Sequence, residues 1–169
     1  MMSHGFLSKV ESYRYCPMKY ILLILLSLSS FANAATIQVI GPCSEIPLLN
    51  TSVNIDTEES VGQFTLKAFD QLSIPYKGDD VAITSIFNSP SGSDAFEIIS
   101  KTEMRAYGWC YTYNGIEPNV YPNEVPMAKN TDTVVWFYGF AHYKDGEWVS
   151  MCEKSWKTKS DFICKKDVD

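Results

Sequence analysis

Apolar and polar residues alternate singly through Thr36-Ile37-Gln38-Val39-Ile40, the pattern of a half-buried strand, and the alternation stops at the Gly41-Pro42 breaker. A short strand over 52–55 is expected to pair with it. At Ser60 the period changes. Val61, Phe64, Ala68, Phe69 and Leu72 recur at helical spacing, while Gln63, Lys67, Asp70 and Gln71 mark the watered side. Ser60 and Gln63 form an S-x-x-Q capping box, Glu58 and Glu59 stand before the positive helix end, and Pro75 closes the segment.

The β-branched run over 81–87 predicts a strand bounded by the turn-forming residues 88–94. Residues 95–103 suit either a short helix capped by Asp94 and Glu97 or an extended segment. Residues 106–113 predict a strand with Tyr107, Trp109, Tyr111 and Tyr113 on one side and Ala106, Gly108, Cys110 and Thr112 on the other, ending in the Asn114-Gly115 turn. The last element is a hairpin, 133–143 and 148–152, around Asp145-Gly146. A two-residue turn there sets Lys144 opposite Glu147, Tyr143 opposite Trp148 and Gly139 opposite Cys152. Residues 134–137 are apolar on both faces, as expected of a strand inside a sheet.

These elements describe an α+β domain, one helix crossing one face of a mixed sheet. Aromatic residues supply both faces and one helix covers only one. The second face therefore requires the 116–131 loop, the tail after Cys152 or a bound partner.

Upstream of the first strand, residues 18–34 read as a secretory signal peptide: Lys19, a short apolar run, then Ala32-Asn33-Ala34. We expect cleavage after Ala34, a presequence of 1–34 and a periplasmic or extracellular protein. Met18-Lys19 makes a normal start for such a signal, so Met1 and Met18 are both candidate starts. The run is shorter than the ~20 residues that span a bilayer, so no stable membrane anchor is expected after cleavage.

Without the presequence, 11 basic and 19 acidic residues remain, a formal charge of −8, which disfavours nucleic acid. Four of the five cysteines also remain, Cys43, Cys110, Cys152 and Cys164, and in an oxidising compartment they imply two disulfides. Four cysteines allow three pairings. Because Cys110 and Cys152 both fall on strands of one small sheet, we expect them to pair and leave Cys43 and Cys164 to tie the tail, 153–169, to the domain at 35–152.

Gly108-Trp109-Cys110-Tyr111-Thr112-Tyr113-Asn114-Gly115, followed after a proline-bearing loop by Asn130-Thr131-Asp132-Thr133-Val134-Val135-Trp136-Phe137-Tyr138, resembles the transcobalamin C-terminal-like domain. With the helix and the 81–87 strand, the resemblance covers most of residues 36–143. It implies a β-grasp fold, with Trp109, Tyr111, Asn114, Gly115 and Trp136 as fold-defining positions. In exported bacterial proteins that domain is largely of unknown function. In the animal vitamin B12 carriers it is the smaller of two domains closing over cobalamin. The large helical domain that makes most of that vitamin site is not read in these residues, so cobalamin-related binding stands as an alternative.

No phosphate-binding glycine loop, nucleophile elbow or H-E-x-x-H is present, and no cofactor or metal site is expected. His142 lies within a strand with no evident orienting acid, and Asp132 and Asp145 are accounted for by turns. The leading expectation is a non-catalytic module that recognises a small molecule, glycan or protein. It would do so through an aromatic sheet face, with Trp109, Tyr111, Tyr113, Trp136 and Tyr138 as candidate contacts, or through the 116–131 loop. The alternative is a secreted enzyme using a free Cys110 or Cys152 with His142.

Overall fold

A computed structural model describes residues 34–55, 58–128 and 131–164. The signal segment 18–33 and Cys16 lie outside these residues. Strand β1 (Ala34–Ile40) pairs antiparallel with β2 (Pro47–Asn54). Helix α1 (Val61–Gln71) follows, then the small antiparallel pair β3 (Tyr76–Gly78) and β4 (Ile83–Ile86). A 3-10 turn (Gly92–Ala95) leads into β5 (Phe96–Ser100), β6 (Glu103–Tyr113), β7 (Thr133–Lys144), β8 (Glu147–Lys154) and a single helical turn α2 (Ser155–Thr158). The main sheet has the order β2-β1-β7-β6-β5, with β8 also on β7. β1 runs parallel to β7 and every other pair is antiparallel. This is the expected β-grasp-like α+β fold.

The helix forms as its sequence dictates. Ser60 accepts from the Gln63 amide at 3.2 Å and Gln63 Oε1 accepts from the Ser60 amide at 3.0 Å, which closes the capping box. Val61, Phe64, Ala68 and Phe69 are fully buried against Ile37, Val39, Val134 and Trp136. Leu72, expected on this face, is instead more than one-third exposed. Thr65, unremarked by periodicity, is fully buried: its hydroxyl donates to the Val61 carbonyl at 2.7 Å and accepts from the Trp136 indole at 2.9 Å. The helix is thereby keyed to the sheet by a satisfied buried polar pair.

Two elements depart from the sequence reading, and a third settles between its two alternatives. β2 begins at Pro47, five residues early, because its first half lies at the sheet edge with little burial to mark it. β4 is shorter than 81–87 and belongs with β3, outside the main sheet. The segment compatible with helix or strand is extended over β5, with only one 3-10 turn before it.

The hairpin turn is as expected, with Asp145 and Gly146 at positive φ and Lys144 opposite Glu147. The far end is not. Two bulges shift the register, so Gly139 stands opposite Lys154 and not Cys152. Cys152 adopts φ 52°, and β8 bends over the face of β7 so closely that a Cβ on Gly139 would sit 2.9 Å from the Glu153 carbonyl oxygen. The bend lets Cys152 reach Cys110, on the strand beyond β7, with 5.9 Å between their Cα atoms. Two undistorted strand spacings would hold those atoms about 9.6 Å apart. Cys43 and Cys164 form the second bridge. Both pairings are the expected ones.

β7 shares one edge between two partners. β1 pairs with it through Phe137 and β8 takes over at Gly139, so Tyr138 falls between them. Ser155, buried, fills this gap: its hydroxyl lies 2.7 Å from the Tyr138 carbonyl and 2.8 Å from the Pro42 carbonyl, just past the end of β1.

The tail beyond it covers both faces. Trp156 stands edge-on to Phe137, whereas Phe162 and Ile163 pack by Tyr107 on the opposite face. Glu97 on β5 holds the tail in place, its carboxylate accepting from Ser160 (2.5 Å), Tyr107 (2.7 Å) and Arg105 (3.1 Å). Burial pushes this carboxyl up, but the three hydrogen bonds and the guanidinium charge outweigh it, and its pKa lies below the usual value.

Two outcomes are expected. Ser155→Ala removes the single hydroxyl proton that the Tyr138 and Pro42 carbonyls share at the β1–β8 gap, so denaturant unfolding should show a loss of about 1–3 kcal/mol with an unchanged slope. Glu97 has a depressed pKa in the folded state, so the stability it contributes is present above the unfolded carboxyl pKa of about 4.3 and is lost as pH falls through the folded value. Melting curves of wild type and Glu97→Gln should accordingly differ at pH 7 and converge in acid.

Candidate functional site

The aromatic strand residues sit in the core with their polar tips engaged. Trp136 and Tyr138 are buried almost completely and Tyr111 largely, with Trp109 and Tyr113 half-buried. Tyr138 donates to the Pro90 carbonyl (2.8 Å), Trp109 to Ser89 Oγ (2.8 Å), Tyr111 to the Val120 carbonyl (2.8 Å) and Tyr113 to Asp132 (2.6 Å). Buried aromatic rings with satisfied tips are packing elements. Each also pins a connecting segment: the 87–90 turn through Trp109 and Tyr138, the 116–122 segment through Tyr111, and the approach to β7 through Tyr113. Burial raises the pKa of all four phenols, Tyr107, Tyr111, Tyr113 and Tyr138, and Tyr111 is pushed further by the Glu124 carboxylate.

Asp132 gathers the residues of the quoted motif. Its carboxylate accepts from Tyr113, from Asn114 Nδ2 (3.0 Å) and from the Ala128 amide (2.8 Å), while Asn114 Oδ1 accepts from the Thr133 amide (2.8 Å). The turn after β6 is thus fastened to the start of β7. Fold construction is a sufficient role for these residues.

A cleft of about 240 Å³ opens beside β6, between Val81, Ala82 and Ile83 on one side and Glu117, Pro118, Val120, Tyr121 and Pro122 on the other. Trp109, Tyr111, Trp136 and the Cys110–Cys152 disulfide complete it. Three of the five predicted contacts, Trp109, Tyr111 and Trp136, therefore come together here. Tyr113 and Tyr138 do not line it.

The wall formed by β6 is a free strand edge. β5 pairs with β6 only as far as Ala106, and an isolated bridge joins Tyr113 to Ile116. Tyr113 exchanges both backbone bonds with Ile116, on the side away from β7, whereas the next residue, Asn114, donates to Thr133. The β6–β7 register is unbroken, so the alternation continues back along the strand and directs the N–H and C=O of Tyr111 and Trp109 away from β7. No strand pairs with that stretch among the described residues.

Glu117 is the cleft's carboxyl group. Burial raises its pKa, Lys154 lowers it and Glu153 raises it, with a net upward displacement. The loop was legible as a candidate; the Val81–Ile83 wall was not, because those residues read as the body of a strand.

The expected features of a catalytic site assemble only in part. His142 does have an acid partner, Glu103 Oε1 at 2.9 Å, contrary to the sequence reading, because Glu103 is a diagonal cross-strand neighbour. Cys110 and Cys152 are bonded to each other, so neither offers a thiolate to that imidazole. Among the described residues no group of three or more His, Cys, Asp or Glu side chains could hold a metal ion, and no helix is long and apolar enough to cross a membrane.

No family model matches the sequence, and no curated protein matches it. Among solved structures, the chain is similar to one reported as a "putative metal binding protein" from Ruminococcus gnavus, at 16% identity and a TM-score of 0.37, covering 68% of this chain and 98% of that one. At that score the two folds are not equated.

The core assignment has a direct consequence. Trp136→Ala should lower stability by about 3–5 kcal/mol. Thr65→Val keeps the shape but leaves the buried indole N–H without its acceptor, and should cost about 1–3 kcal/mol. Chemical denaturation of both variants checks this, and unchanged stability in both would remove Trp136 from the core and leave it as a cleft residue alone.

Proposed function

We propose that this chain is an exported, non-catalytic binding module whose recognition site is the cleft beside β6. The observation that carries the reading is the coincidence, in one concavity, of apolar and aromatic walls, the carboxyl group of Glu117 at its rim and backbone polar groups that no strand pairs among the described residues. Ligand sites combine largely apolar walls with a few placed polar groups. A volume of about 240 Å³ lies below the ~300–1,000 Å³ usual for drug-sized molecules, so the site suits a small ring, a sugar unit or part of a larger partner better than a whole cobalamin.

Kinship with the transcobalamin C-terminal-like domains is part of this proposal. It rests on the motif around Asn114-Gly115 and on Trp136, and the β-grasp-like sheet supports it. Export is supported by the tripartite pattern of residues 18–34 and by two disulfides that persist in an oxidising compartment. Ala34 is the first residue of β1, so cleavage after it removes one strand residue and leaves the pairs from Ala35 to Ile40 in place.

One preparation tests both parts. Protein recovered from the periplasm or medium should begin at Ala35 on N-terminal sequencing. Small aromatic compounds and monosaccharides titrated into it should shift the NMR signals of the Trp109 indole, Ile83 and Val120. An intact Met1 or Met18 form in the cytoplasm would sink the export reading. Shifts confined to other surfaces would sink the site.

A further inference from the structure

The strand edges of this sheet are not equivalent. The outer strands are β2, β5 and β8: β8 is bulged and carries Glu147, Glu153 and Lys154, β5 has a register shift and carries Glu97, and β2 starts at Pro47 beside a register shift. Charges and bulges are the ordinary means by which edges avoid pairing with another chain. The Trp109–Tyr111 stretch of β6 has neither. It is regular, uncharged and walled on the far side by Val81, Ala82 and Ile83.

Building on the proposed recognition role of this cleft, we infer that its occupant is a short extended peptide segment bearing a basic side chain, added as a strand to the free edge of β6 and placed with its cation at Glu117. The outward-directed residues Trp109 and Tyr111 are about 6.8 Å apart at the usual rise, the span that one three-residue strand bridges with paired N–H···O=C bonds. Strand addition of this kind takes affinity from the main chain and specificity from pockets for alternate side chains. The apolar wall of Ile83, Val120 and the disulfide meets one side chain. Glu117 supplies the negative charge for the cation, with Lys154 and Glu153 both close enough to act on it, and the acidic net charge, −6 for the full sequence, favours its approach. A small apolar ring would leave the edge amides and carbonyls to water, and a sugar would pair with them without the strand's regular spacing. An extended backbone satisfies them.

The test uses the full chain with both disulfides formed, panned against a phage-displayed random heptapeptide library. Selected peptides, synthesised and measured by calorimetry, should be enriched in Lys or Arg. N-methylation should abolish binding at alternate residues and spare the ones between. Hydrogen exchange of the Trp109 and Tyr111 amides should slow on binding. Glu117→Gln, a change on the loop side of the cleft, should weaken the basic peptides at least roughly tenfold with melting unchanged.

Failure to select any saturable peptide, N-methyl losses without a two-residue period, or protection at another edge would each overturn the strand-addition proposal. If peptides fail while small rings or sugars still shift Ile83 and Val120, strand addition falls and the cleft survives as a binding site. If both classes of probe fail, both fall.

Discussion

The shared edge of β7 is the constraint around which the rest of the molecule is arranged. One strand must pair in parallel with β1 over its first half and antiparallel with β8 over its second, while β6 occupies its other edge throughout. Two strands cannot meet end to end without leaving backbone groups unpaired at the join, and here the join falls on Tyr138. The Ser155 hydroxyl resolves it. The bend of β8 over Gly139 and the left-handed backbone at Cys152 lead the chain to Ser155, the first residue of α2, at that point. Buried backbone groups are almost always paired. In this chain that rule accounts for the course of the tail.

A second organising group is Asp132, which joins the turn after β6 to the entry of β7 and carries the backbone of β1 as well, since Thr36 donates to its carbonyl. Two central strands and an edge loop are thereby registered by a single buried carboxylate. The Tyr113-Asn114 and Asp132 elements of the motif are one hydrogen-bonded unit divided between distant parts of the sequence.

Much of this was legible in the sequence because it depends on local periods and local chemistry. The capping box at Ser60, the Asp145-Gly146 and Asn114-Gly115 turns, the two-faced apolar run of β7 and both disulfides stand where patterning places them. What patterning missed depends on distant partners. Gly139 is required by a carbonyl from β8, Thr65 is buried because an indole 71 residues away donates to it, and Leu72 lies exposed although its spacing matches the buried face. The candidate site followed the same division. The aromatic residues were conspicuous as a stripe, but alternation along a strand does not tell which face the helix covers. The free edge exists only because β5 ends its ladder at Ala106 while β6 continues.

The Cys43–Cys164 bridge, with its cysteines 121 positions apart, closes a loop that contains every strand of the main sheet except β1. In the chain-entropy view such a closure restricts the unfolded ensemble by about 4–5 kcal/mol. It also fixes how the molecule bears load. Tension applied at Cys43 and Cys164 themselves runs through the sulfur–sulfur bond and spares the enclosed strands, whereas tension applied further upstream is borne by β1 and passes through its ladders to β2 and β7.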